Sequence, residues 1–158
     1  MNVTLTYKNH YMNKTNILQQ IIAEQDKTIN NLSSSIEKYK MASDLDENNT
    51  LDPEDFSHQG EAMDMKMRLE QLLVKETRNK EIIEKCLNLD NKVVELGALV
   101  DLDIKYLFVG ASTHTLKADG KEIYTISEDA PIYHSIKGKK VGDNIELGNL
   151  HFVIKDIK

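Results

Sequence analysis

The stretch SDLDENNTLDPEDFSH, Ser43 to His58, carries six carboxylates and not one lysine or arginine, and what stands on either side of it decides the fold. It contains a helix start: Asp52 can cap, Pro53 is preorganised for the first helical position, and Glu54 and Asp55 fall in the first turn. Upstream, Asn13 to Met41 has no Gly or Pro. Its apolar positions step alternately by four and three through Leu18, Ile22, Ile29, Leu32, Ile36 and Tyr39, with Gln25 as the polar member. That is a coiled-coil seam. Downstream, a second seam is predicted through Ala62, Met65, Leu69, Leu72, Ile83 and Cys86, interrupted by Glu76 and Asn79 and broadened by Leu73, Ile82 and Leu87. Two helices of similar length on a short connection predict an antiparallel hairpin, with the acidic stretch at its tip, about 40 Å from the other end.

From Asn91 the period changes. Short strand-like runs follow (VVELGALVDL, YLFVGA, KEIYTIS, DNIEL and NLHFVIKDI), separated by turn chemistry such as Ala118-Asp119-Gly120 and Leu147-Gly148-Asn149. PIYHSIKG reads as a short helix ending at Gly138. The expected fold class is α+β: a tail over 1–12, a coiled-coil hairpin over 13–90 with its acidic tip at 43–57, and a small, mostly antiparallel domain over 91–158.

The formal charge of -6 argues against a general nucleic-acid binder, since grip on phosphate backbones rests largely on Lys and Arg. A single cysteine, Cys86, excludes an intramolecular disulfide. The N-terminal stretch has no apolar signal region and no run approaches a membrane span, so a cytoplasmic protein without a membrane partner is expected. His10, His58, His114, His134 and His151 lack ligand-like spacing, which argues against zinc.

The tip also aligns with an EF-hand loop from Asp44 to Asp55, with oxygen ligands at positions one, three and five (Asp44, Asp46, Asn48) and an acid at twelve. Asn49 replaces the glycine that the sharp turn needs, and Asp55 replaces the longer bidentate glutamate. A calcium-binding helical hairpin, or a plain scaffold, is therefore one alternative for the chain.

Asp44-Leu45-Asp46-Glu47-Asn48 in the tip resembles the D-L-x-E-N motif of the Gre transcript-cleavage factors, which bind bacterial RNA polymerase. ISEDAPIYHSIKGKKVGDNIEL, Ile126 to Leu147, is similar to the segment of that family that runs from I-S through a short helix to G-K and G-D, with Gly97-Ala98 on the strand expected before it. The resemblance implies an FKBP-like C-terminal domain that docks at the rim of the polymerase secondary channel, and a finger that reaches the active centre. It implies a transcription elongation factor that stimulates the polymerase's own cleavage of backtracked RNA and is not an enzyme by itself. It further implies that Asp44 and Glu47 are the catalytic, metal-directed pair, holding a Mg²⁺ shared with the polymerase, with Asp46, Asp52 and Asp55 in support. The isolated protein would hold no cofactor tightly. It would be a monomer, touch the RNA 3′ end only indirectly and bind no DNA directly. The tip departs from the family pattern because NTLDPEDFSHQG intervenes before the second helix; a channel binder that inhibits without cleaving is the other alternative.

Overall fold

The structure, a computed structural model, describes residues 12–44 and 52–158. Helix α1 spans Lys14–Ser43 and starts where Asn13 accepts a hydrogen bond from the Asn16 N–H at 3.0 Å. Helix α2 spans Pro53–Cys86. At 1.5 Å per residue their 30 and 34 residues extend about 45 and 50 Å. The helices are antiparallel, since Lys14 meets Leu89 and Asn91 at one end, Gln25 meets Glu76, and Ser43 meets Gln59 at the other.

On α1 the expected seam is buried or half-buried from Leu18 to Ile36, with Tyr39 exposed, and on α2 the expected seam holds except at two positions. Gln59, Ala62, Lys66, Leu69, Leu73, Glu76, Lys80 and Ile83 are buried or half-buried, alternating by three and four, as are Asn79, Ile82 and Cys86, whereas Met65 and Leu72 are exposed. Leu73 thus takes the place given to Leu72, and two lysines join the seam, Lys66 in place of Met65 and Lys80 beside the polar Asn79. Their aliphatic stems cover the seam while the ammonium groups stay wet, and Lys80 Nζ lies 2.7 Å from Asp26 on α1.

The C-terminal part builds β1 (Leu99–Asp101), β2 (Lys105–Gly110), β3 (Leu116–Ala118), β4 (Lys121–Ser127), α3 (Pro131–Ile136), β5 (Asn144–Leu147), β6 (Leu150–Val153) and β7 (Asp156–Ile157). Five strands form one sheet in the order β3-β4-β2-β1-β7, and β5 pairs with β6 in a separate ribbon. The β2–β4 pair is parallel and the rest are antiparallel. The result is α+β, two long helices followed by a small mixed-sheet domain. The run VVELGALVDL shrinks to the short β1 and NLHFVIKDI splits into β6 and β7. Asp119 and Gly120, at φ 53° and 75°, make the two-residue turn between β3 and β4 that an Asp-Gly pair favours.

The sheet is buried on both faces, so β2 reads as an unbroken apolar run with no alternation. Tyr106 and Phe108 face the hairpin and join Ile17, Leu18, Ile21, Ile83 and Cys86 in one core. Leu107 and Val109 face the other way and join Tyr133, Ile136, Ile145 and Phe152 in a second. The first core fixes the base of the hairpin on the sheet and leaves the tip at the far end. Lys14 is buried at that base, its Nζ donating to Leu89 O at 2.5 Å and Asn91 Oδ1 at 2.9 Å. Burial holds its pKa below the ordinary value, against the attraction of the Cys86 and Asp90 side chains.

Candidate functional site

The tip is assembled from the C-terminus of α1 and the N-terminus of α2. Asp44 is the C-cap of α1, exposed, with its backbone N–H bonded to Lys40 O at 3.0 Å. Gln59 Nε2 donates to Ser43 O at 2.7 Å, which ties the two helix ends together. This tie satisfies one of the carbonyls that the end of α1 leaves without a helical partner. Gln59 was not singled out from the sequence, and its only signal is its place on the three-four register of α2.

Asp52 and Asp55 form a reciprocal capping box: Asp52 Oδ1 accepts from the Asp55 N–H at 2.9 Å, and Asp55 Oδ2 accepts from the Asp52 N–H at 3.3 Å. The helix start read from Asp52-Pro53-Glu54-Asp55 is thus present. Glu54 and Glu61 each lie 3.8 Å from a ring nitrogen of His58. Asp46 and Glu47, the other sequence-predicted site residues, lie outside the described residues.

The donor chemistry suits a hard divalent cation, because exposed carboxylates are the ligands that Mg²⁺ and Ca²⁺ prefer. Yet among the described residues no three His, Cys, Asp or Glu side chains come together in a way that would hold a metal ion. Asp52 and Asp55 each commit one oxygen to the capping box. An EF-hand loop needs its twelfth residue to grip the ion with both carboxylate oxygens, so such use of Asp55 competes with the 3.3 Å bond that its Oδ2 accepts from the Asp52 N–H. Of the described tip carboxylates, Asp44 is the one for which no side-chain hydrogen bond or ion pair is seen.

A second concave region lies on the far face of the sheet. Lys105, Leu107, Tyr124, Ile126, Ile132, Leu147, Gly148 and Leu150 line an apolar groove of about 370 Å³. The Lys105 ammonium sits over the Tyr124 ring at 4.4 Å and 5.4 Å from the Phe152 ring centre, so the groove carries a cation on an aromatic floor. The sequence did not show this groove, because its residues come from β2, β4, α3 and the β5–β6 turn.

No family model matches the chain, and no curated protein sequence matches it. Among solved structures it is similar to the crystal structure of a GreA factor homolog, Gfh1, of Thermus thermophilus. The identity is 18%, over 91% of this chain and 94% of that one, with a TM-score of 0.33. A superposition that loose carries no argument about residues or activity. Among the described residues no helix is long and apolar enough to cross a membrane.

Proposed function

We propose that the chain is an RNA polymerase secondary-channel factor of the Gre type, which brings tip carboxylates to the polymerase active centre and so stimulates cleavage of backtracked RNA. The observation that carries this reading is an exposed acidic tip at the end of a rod about 45 Å long, whose other end is fixed to a compact domain. The D-L-x-E-N stretch at Asp44–Asn48 and the segment Ile126–Leu147 support it. The apolar groove beside Lys105 offers the compact domain a surface for the channel rim.

In this mechanism Asp44 and Glu47 hold and orient, and the polymerase supplies the rest of the catalytic centre. Carboxylates three residues apart on a turn-like backbone can share one side of the tip. From there they position a water against the RNA phosphodiester and complete the ligand sphere of an ion that the protein alone holds weakly. Asp44 and Glu47 would hold a magnesium ion jointly with the polymerase, and when bound it would supply charge stabilisation to the displacement. Asp52 and Asp55 contribute negative potential while they hold the start of α2.

The test is addition of the full chain to stalled, backtracked elongation complexes. Shortened RNA is expected, and Asp44→Asn with Glu47→Gln should abolish shortening without loss of binding. Binding without shortening by the unaltered protein would turn the reading into channel inhibition, and absence of binding would remove it.

A further inference from the structure

Phe56, Met63, Met67 and Val74 on α2 are 59%, 56%, 53% and 61% exposed. Their spacings of seven, four and seven residues put all four within about 20° of one line along the helix, at 3.6 residues per turn. That line runs roughly 110° around α2 from the face on α1, so it is a second seam and not the rim of the first. A row of large exposed apolar side chains on one helix line, interrupted at Gly60 and Glu70, is a candidate interaction surface.

We propose that this stripe is a self-association surface on which α2 of a second copy packs antiparallel. In one heptad frame Phe56 and Met63 are d sites and Met67 and Val74 are a sites, with Gly60 and Glu70 at the a and d sites between them, and antiparallel pairing places an a residue opposite a d residue. One register satisfies them all: Phe56 meets Val74 of the second copy, Met63 meets its Met67, and Gly60 leaves room opposite the long Glu70. Next to Val74 the surface is already concave. Leu73, Val74, Thr77, Arg78 and Glu81 line a groove of about 370 Å³. In this register Phe56 of the second copy stands at its near edge, against Leu73, Val74 and Thr77.

Charge selects the same direction. Residues 52–64 carry five acids and no Lys or Arg, and residues 66–80 carry five bases against two acids. Antiparallel pairing sets the acidic half of each helix against the basic half of the other, whereas parallel pairing stacks like on like.

The area sets the strength. A large apolar side chain offers roughly 150–200 Å² when free, so the four expose on the order of 400 Å² per copy. Two copies bury less than the roughly 1,200 Å² of a standard interface. The dimer is therefore weak, and the monomer expected from the sequence is its dilute form. Pairing also lays the tip end of α2, at Asp52, beside Arg78 of the second copy. That withdraws the tip from any other basic or metal-bearing partner. The inference rests on α2 alone and is independent of the polymerase reading.

The test is sedimentation of the full chain from about 1 to about 200 µM. A reversible shift from monomer to dimer is expected in this range. Met67→Glu should abolish the shift with an unchanged circular dichroism spectrum, since the residue is exposed. Orientation is read by mixing Phe56→Cys with Val74→Cys under mild oxidation, Cys86 being buried. The mixture should cross-link and Phe56→Cys alone should not, its copies standing about 27 Å apart in the antiparallel pair. A monomer throughout, or cross-linking of Phe56→Cys by itself, overturns the proposal; in the first case the stripe belongs to a different protein.

Discussion

Gln25 sits in the middle of the hairpin seam, 2% exposed. Its Nε2 donates to the Glu76 backbone carbonyl at 3.0 Å and to a Glu76 carboxylate oxygen at 2.5 Å. The same carboxylate oxygen accepts from Asn79 Nδ2 at 3.2 Å, and Asn79 reaches Ser112 O on the compact domain at 3.3 Å. Glu76→Leu deletes the charged acceptor and leaves the buried amide only the backbone carbonyl. A hydrogen bond to a charged group contributes about 1.5–3 kcal/mol, and the surviving backbone bond moves the expected loss to the lower part of that range. Gln25→Leu deletes the donor but leaves Glu76 half-exposed and still bonded to Asn79, so about 1 kcal/mol is expected. In the double variant neither buried partner remains unpaired and the layer becomes apolar, so stability should return to within about 0.5 kcal/mol of the parent. The coupling is then about 2 kcal/mol. Urea unfolding with an unchanged slope reads these values. If the two single losses simply add in the double variant, the buried pair is not a unit and this reasoning fails.

Asp52→Ala removes the side-chain acceptor of the Asp55 N–H, one half of the capping box, and should destabilise the start of α2 by about 1 kcal/mol. Because the tip is a helix end, the loss should appear as faster hydrogen exchange at the Asp55 and Phe56 amides, with Asp52→Asn near the parent. Burial holds the Lys14 pKa below its ordinary 10.5. In the window between that depressed value and 10.5 the unfolded chain binds more proton, so the Lys14 contribution to stability rises with pH there. The stability of the parent relative to Lys14→Met should accordingly increase up to that pH, and a flat difference counts against a buried ammonium. Gly60 lies inside α2 with open space where a Cβ would stand. Gly60→Ala should raise stability by about 1 kcal/mol in thermal or urea unfolding, and a loss would mean that the side chain meets something there.

The two helices were legible because their signals are local: Asn13 and Asp52 cap, Pro53 opens, and neither helix core contains proline. The α1 seam was legible too, since its apolar residues follow one register. On α2 the apolar residues follow two. Met65 and Leu72 extended a tempting row toward Ile83, but the chain takes the row through Lys66, Leu73 and Lys80, where lysine stems and a cross-helix ion pair to Asp26 replace apolar contact. Periodicity alone cannot rank a lysine above a methionine at a seam position. The domain was legible as alternating short runs, yet β1 was overestimated. Val93 to Ala98 read as strand by composition. Gly97 and Ala98 still exchange hydrogen bonds with Val109, but the φ of 91° at Gly97 and the turn bond from Ala98 N–H to Glu95 O take the residues before them off the sheet. The apolar groove beside Lys105 had no sequence signal, because its lining is gathered from four elements.

At the tip, the sequence reading set Asp52, Glu54 and Asp55 apart as a helix start and Asp44 with Glu47 as the metal-directed pair, and for the described residues the backbone gives the physical reason for a division. The N-terminus of α2 presents free N–H groups and the positive end of the helix dipole, so negative charge at Asp52 and Asp55 stabilises it, and hydrogen bonds fix both side chains. Asp44 stands at the opposite pole. At the end of α1 the unpaired carbonyls make the local field negative, and a carboxylate there costs the helix a few tenths of a kcal/mol, with Lys40 in the last turn as partial compensation. Neutralising the acids at the start of α2 should therefore weaken the hairpin, and neutralising Asp44 should not. A charge that the fold gains nothing from, held exposed at the end of a long rod, is the kind of group that a partner's site can use.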